Sequence, residues 1–275
     1  MTATPNHPMS PTLLDDLGDP VPLGPSPRRI VSLVPNLTET LWWWHLGDHV
    51  VGATDWCVAP PHGFPNVTRV RGTKNPDTAA IVDLEPDVVV ANAEENRELD
   101  VRRLREAGVP VYVTSPRSIE EAAQSLADLG DALGVGGAGA GLAQEIRRAV
   151  ARVATGTPTL SAFVPVWREP WMAMGTQTVG GDLLRLAGFA VVPDVPRYPE
   201  VDLTDVAARD VDAVLLPDEP YVFTDEHRSD FAGWGARVRR IDGTALTWWG
   251  PRTPSSLASL RRLARHLERR GRRAG

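Results

Sequence analysis

At 275 residues, 42% hydrophobic and 23% charged, the chain is long enough for one large domain or two small ones, each with a buried core. A net charge of -6 gives no general attraction for nucleic acid or anionic lipid. The one cysteine, Cys57, excludes an internal disulfide and any Cys-based zinc site, and no apolar run approaches the length of a membrane span.

Residues 1–27 are Pro-rich and slightly acidic, with no basic start, no apolar stretch of signal-peptide length and no small-residue cleavage site. They read as a loosely ordered arm, and the protein is expected in the cytoplasm. Residues 28–34 (RRIVSLV) form a β-type run that stops at Pro35. Asn36 and Glu39 have capping-box spacing for a helix over 38–46. Trp42, Trp43 and Trp44 fall in that helix, each turned about 100° from the last. Core packing is the favoured reading for them, with at least one turned outward or against another element. His45 and His49 lack a third ligand nearby and Gly47 interrupts the helix between them, so no metal site is expected there.

A β run at 50–54 leads to Asp55, Trp56 and Cys57. The turn-rich stretch Arg71-Gly72-Thr73-Lys74-Asn75-Pro76 holds the chain's only lysine and precedes a short helix at 78–84. Residues 86–91 (PDVVVA) read as a buried parallel strand. Asn92-Ala93-Glu94-Glu95-Asn96 follow at its carboxyl end, where open α/β sheets place ligands. A helix at 99–107, a strand at 110–114 and a helix at 119–133, capped by Ser118 with Glu121, complete the first half. Residues 135–157 read as one connecting helix, with Leu142, Ile146, Val150 and Val153 at helical spacing and Gly156 and Pro158 beyond them.

The second half repeats the pattern. A strand at 160–166 enters the loop Trp167-Arg168-Glu169-Pro170-Trp171-Met172, and a helix at 178–187 ends at Gly188. The loop Arg197-Tyr198-Pro199-Glu200 precedes a strand at 212–216, which leads to Pro217-Asp218-Glu219-Pro220-Tyr221. A strand at 238–241, the Trp248-Trp249 pair and a helix at 255–270 with a solvated, arginine-rich end complete the chain. VDLEPDVVVANAEE and VAARDVDAVLLPDEP share one pattern. The expected fold is α/β: two Rossmann-like lobes with parallel-type sheets, over 28–134 and 158–275, joined by a single long backbone helix, with a ligand cleft between the lobes.

Aromatic side chains on loops offer flat apolar area at low entropic cost, and polar groups among them fix a ligand's orientation. The candidate ligand-binding residues are therefore Trp56, Lys74, Asn75, Glu94 and Asn96 in the first half. In the second they are Trp167, Arg168, Trp171, Tyr198, Glu219, Tyr221, Trp248 and Trp249. No G-x-S-x-G elbow, Walker loop or H-E-x-x-H is present, and the Gly-rich run at 134–141 follows no strand. No catalytic or direct metal-ligating residue is assigned. Glu94 or Glu95 facing Glu219 leaves an acid–base enzyme as an alternative.

The segments RIVSLVPNLTETLWWWHLG, VVGATDWCVAPP, GTKNPDTAAIVDLEPDVVVA, LREAGVPVYV, VWREPWM and RYPEV resemble, in order and spacing, those of cobalamin-type periplasmic binding proteins of ABC importers. The resemblance runs from about residue 29 to residue 267 and implies two lobes on a rigid backbone helix. It also implies a non-catalytic protein with no covalent cofactor, holding a corrinoid or other metal chelate as its ligand. By position it sets Trp56 and Tyr198 against the corrin, and the loops at Lys74, Glu94, Trp167 and Trp248 at the cleft edge. The metal is expected to arrive inside its ligand. Where importer-bound relatives present acidic residues to the permease, this chain has Ala79 and Thr204, with Asp77, Asp202 and Asp205 nearby. The expectation is a cytoplasmic small-molecule binder that has left transport, without nucleic-acid partner, membrane anchor or permease. The alternative within the same fold is an importer component for siderophore, haem or cobalamin.

Overall fold

The apolar runs fold into two parallel sheets, one in each of two units. The structure is a computed structural model and describes residues 13–61, 66–153 and 156–271. Within those residues the first unit draws on Met1–Ser115 and Asp128–Gly139, and the second on Pro116–Ala127 and Ala140–Gly275.

In the first unit β1 (Ile30–Ser32), α1 (Pro35–Trp43), β2 (Val50–Ala53) and β3 (Thr68–Arg69) come first. The hairpin β4 (Arg71–Gly72) and β5 (Asn75–Pro76), then α2 (Thr78–Asp83), β6 (Val88–Asn92), α3 (Glu98–Glu106) and β7 (Val111–Thr114) follow. The sheet order is β3-β2-β1-β6-β7, all parallel. β6 is buried along its whole length, which fits the unbroken apolar run over its first four residues, Val88 to Ala91. From β1 the chain turns to one side for β2 and later to the other for β6. The strand order therefore reverses between β1 and β6, the position at which such sheets open a ligand crevice.

In this unit one expectation fails and another holds only in part. α1 starts at Pro35, with Val34 as its cap residue and no side-chain cap; proline's fixed φ suits the first helical position, and Asn36 is buried instead. Of the tryptophan triplet only Trp44 is buried, at 4% exposure, whereas Trp42 and Trp43 are 41% and 56% exposed. Trp42 lies over Gly47, where a Cβ would come within 2.5 Å of its ring. The helix ends within the triplet, at Trp43, and Trp44 is its C-cap residue, so the three indoles do not share one helical face toward the core.

Residues 13–27 also correct the expectation of a loose arm. Asp15 is buried and accepts hydrogen bonds from Leu17 N (3.0 Å), Asp19 N (3.0 Å) and Val113 N (3.3 Å), and it pairs with Arg105 at 2.6 Å. Asp16 N donates to Val113 O (3.1 Å), and Ser115 N donates to the Asp16 carboxylate (2.8 Å). This segment therefore occupies backbone groups at the outer edge of β7, the side of a sheet that must otherwise be protected from foreign strands. Residues 1–12 lie outside the described residues.

The helices expected at 119–133 and 135–157 form as α4 (Ile119–Ala132) and α5 (Gly136–Ala151), and each unit takes in part of both rather than being divided by the second alone. A Cβ on Gly130 would stand 2.7 Å from Gly139 Cα, so the Gly/Ala-rich run is a close helix–helix contact rather than a linker. α5 ends at Ala151, before Val153.

The second unit contains β8 (Leu160–Phe163), the hairpin β9 (Pro165–Trp167) and β10 (Met172–Ala173), α6 (Val179–Ala187) and β11 (Phe189–Val192). After them come α7 (Leu203–Ala207), β12 (Ala213–Pro217), β13 (Arg237–Ile241), α8 (Thr244–Thr247) and α9 (Thr253–Gly271). Its sheet, β11-β8-β12-β13, is parallel and follows the same path as β2-β1-β6-β7, reversing between β8 and β12. α6 forms where expected: the Thr178 hydroxyl accepts from Gly181 N (3.0 Å), and Gly188 at φ 107° ends it. The strand expected at 160–166 is divided into β8 and β9, and β10, β11 and α7 had no counterpart among the expected elements.

Candidate functional site

In the first unit the candidate residues sit on loops at the carboxyl ends of β2 and β6 and on the β4–β5 hairpin. Trp56 follows β2 and is 65% exposed. Lys74 Nζ donates to the Glu94 backbone oxygen, tying the hairpin to the loop after β6. Asn75 stands on the hairpin with its side chain beside Gly72, where an added Cβ would come within 2.6 Å of Asn75 Oδ1 and 3.4 Å of Trp56 Nε1. Glu94 N and Glu95 N both donate to Asn92 Oδ1, at 2.9 and 3.3 Å, so the acidic pair rides on an Asx turn.

Asn96 is the exception in this group. It is buried; its Oδ1 accepts from Asn92 N (2.9 Å), while its Nδ2 donates to Thr73 O (2.9 Å) and Leu33 O (3.4 Å). It braces the ends of β1 and β6 and the hairpin together, and its amide is spent on backbone rather than turned to a ligand.

In the second unit the loops leave the carboxyl ends of β8 and β12. Trp167 ends β9, is 45% exposed and meets Tyr221 edge-on at 5.6 Å. Trp171 stacks on Phe223 at 6.0 Å and packs edge-on to Phe231 at 5.7 Å, so it and Tyr221 rest partly buried on the core. Arg168 lies 5.5 Å above the Trp171 ring, and its charge is answered by Glu169 (2.9 Å) and Asp230 (3.4 Å). Tyr198 is half-buried on a segment held against residues 173–176 through Arg197 N to Thr176 O (2.7 Å) and Ala173 N to Pro199 O (2.9 Å).

Glu219, Trp248 and Trp249 depart from the loop-platform picture. Both tryptophans are below a tenth exposed, with Arg252 stacked 4.6 Å over Trp248, because α8 folds them inward ahead of α9. Glu219 accepts a hydrogen bond from the Thr247 hydroxyl and is hydrogen-bonded to the Trp248 side chain. Burial pushes its carboxyl above the ordinary glutamate range, against those two bonds and with help from the charges of Asp218 and Asp242.

The loops also use residues that motif reading passed over. Arg69 Nη1 donates to the carbonyls of Thr54 and Cys57, on either side of Trp56. Phe223 and Phe231 supply the floor under Trp171. A cavity of about 630 Å³ opens in the second unit beside β11, with Arg117, Glu121, Asp182 and Arg185 among its walls. None of the candidate residues lines it. Among the described residues, no group of three or more His, Cys, Asp or Glu side chains is arranged to hold a metal ion. No described helix is long and apolar enough to cross a membrane.

Ala79 and Thr204 occupy matching places, each the second residue of the short helix that enters β6 or β12. The nearby carboxylates cap those helices: Asp77 accepts from Ala80 N (3.1 Å) and Asp202 from Thr204 N (2.7 Å).

A family model described as periplasmic binding protein matches residues 30–229. The vitamin B12-binding protein of Vibrio cholerae is 21% identical over 256 residues, 88% of this chain and 89% of its own. The crystal structure of the periplasmic vitamin B12 binding protein BtuF of V. cholerae has the same fold, with a TM-score of 0.72 at 19% identity over 88% of this chain and 98% of that one. The cobalamin-binding protein of Halobacterium salinarum is 30% identical over 207 residues, 71% of this chain and 55% of its own length. The periplasmic haem-binding protein BhuT, solved in complex with two haems, aligns with a TM-score of 0.72 at 25% identity over 88% of this chain and 99% of that one.

Proposed function

This chain belongs to the periplasmic binding protein family, and we propose that its ligand is a corrinoid or a similarly flat, amide-bearing metal complex. Members of the family are carriers of the ABC-importer type, not catalysts, and hold their ligands without covalent bonds. The observation that carries the choice of ligand is the pairing of exposed indoles with carboxylates on the strand-end loops. Trp56 shares its sheet end with Glu94 and Glu95, and Trp167 shares its own with the exposed Asp218. An indole face suits any flat macrocycle. Carboxylates accept hydrogen bonds from the amide groups around a corrin ring and repel the propionates of haem or the anionic groups of a siderophore. Arg168 does little to offset this, since Glu169 and Asp230 already neutralise it. The names of the Vibrio and Halobacterium relatives support the same ligand, and the haem-bound neighbour supports the alternative.

The test is calorimetric titration with cyanocobalamin, then haem, then a ferric siderophore. Micromolar or tighter binding of cyanocobalamin is expected, with haem at least about tenfold weaker. Covering about 100 Å² of the Trp56 indole contributes about 2.5 kcal/mol, so Trp56→Ala should weaken binding about 50- to 100-fold. Tighter binding of haem, or of none of the three, overturns the ligand assignment and leaves the fold standing. A cytoplasmic location and separation from any permease belong to the same proposal. The chain's recovery in the extracytoplasmic fraction, or its capture by a permease, would restore an importer role.

A further inference from the structure

We infer that Arg69 is a positioning residue for ligand binding, clamping the turn that presents Trp56. This rests on Trp56 being a ligand platform. The indole is 65% exposed, so packing does little to hold it. The backbone beneath it, by contrast, is tied on every side. Arg69 Nη1 donates to Thr54 O at 2.8 Å and to Cys57 O at 3.0 Å, the carbonyls that bracket Asp55 and Trp56. Cys57 N donates to Thr54 O (3.1 Å) and closes the turn, and Asp55 N donates to Arg71 O (2.8 Å) on the neighbouring hairpin. The Cys57 thiol is buried and hydrogen-bonded to the hydroxyls of Thr38 (2.9 Å) and Thr54 (3.1 Å), which anchors the turn from below.

Of these ties, only the Arg69 contacts come from a side chain that the core does not need. Arg69 lies on the two-residue strand β3, and both residues of that strand are exposed. A long cationic side chain at a sheet edge ordinarily stays in water; here it spends a charge-assisted donor on two carbonyls. A platform held in its binding orientation before the ligand arrives avoids the ordering cost on binding. Gly72 lies beside the device: a Cβ there would come within 2.6 Å of Asn75 Oδ1 and into contact with Trp56 Nε1 at 3.4 Å.

A double-mutant cycle with cyanocobalamin reads the coupling. Arg69→Ala should weaken binding about 2- to 10-fold, the effect of freeing one side chain that binding must then order, and Arg69→Lys should recover part of it. In the Trp56→Ala background, Arg69→Ala should change the affinity less than about twofold, because Arg69 acts through the indole. Equal losses in both backgrounds, or no loss from Arg69→Ala where Trp56→Ala does weaken binding, overturn the inference. If Trp56→Ala leaves binding intact, the platform reading itself fails. Hydrogen exchange at the amides of residues 55–57 tests the clamp without ligand. Exchange at least about tenfold faster in Arg69→Ala is expected for a turn that loses this tie. Unchanged protection, with melting unaffected, overturns it.

Discussion

Asn96→Ala separates a brace from a ligand contact. The side chain fills one acceptor and two donor roles inside the first unit, and alanine removes all three. Asn92 N is buried and loses its partner, which costs about 1–3 kcal/mol. The bond to Thr73 O at 2.9 Å contributes about 1 kcal/mol, and the longer one to Leu33 O at 3.4 Å less than that. The total is about 3 kcal/mol, a large share of the roughly 5–15 kcal/mol that holds a domain together. For a chain of this size that amounts to about 6–12 °C in melting temperature. Urea unfolding followed by circular dichroism, together with calorimetric melting of the ligand-free protein, gives both numbers. Asn75→Ala, on the exposed hairpin, is the control and should stay within about 0.5 kcal/mol. Asn96→Asp keeps the acceptor for Asn92 N but sets a second oxygen against the Thr73 and Leu33 carbonyls, so it should cost at least as much at neutral pH. A loss below about 0.5 kcal/mol in Asn96→Ala would refute the bracing role and return Asn96 to the ligand-contact set.

Asp15→Ala removes one of the two carboxylates that pair with Arg105, Asp19 remaining, and takes the acceptor from Leu17 N, Asp19 N and Val113 N; it should destabilise the first unit by about 1–3 kcal/mol in denaturant melts, whereas a loose arm would leave them unchanged. Gly175→Ala would place a Cβ 1.9 Å from Val195 O and 2.9 Å from Arg197 O, both backbone atoms with little room to yield. It should lower the melting temperature by the equivalent of at least about 1–3 kcal/mol and weaken ligand binding by shifting the Tyr198 segment; a fully stable variant with normal affinity would disprove that packing. Glu219 is held above the ordinary glutamate range by burial, so the folded state keeps its proton more tightly than the unfolded chain does. Its contribution to stability is complete below the unfolded value and is lost as pH rises through the folded one. Glu219→Gln, which keeps an acceptor for Thr247, should therefore melt above the parent protein at pH 8 and level with it near pH 4; the same offset at both pH values would contradict this.

Much of the plan was legible because its signals are local. The apolar run of β6, the Gly188 end of α6, and the Ser118–Glu121 start of α4 act over a few neighbouring residues, and they predicted those elements closely. The repeat between the two halves carried the matching sheet paths and put the loops of interest at strand carboxyl ends. What those local signals left undecided was the state of single side chains whose partners are remote in sequence. Asn96 is turned inward by Leu33 and Thr73, 63 and 23 residues away, and Asp15 is fixed by Arg105, 90 residues away. Trp43 and Trp248 carry the same indole, yet one is 56% exposed and the other 9%, because only the second has α8 and Arg252 folded over it. Periodicity and caps determined which elements form and in what order. Which loop residues brace the protein and which face solvent was decided by tertiary packing, since burial depends on what the rest of the chain brings alongside.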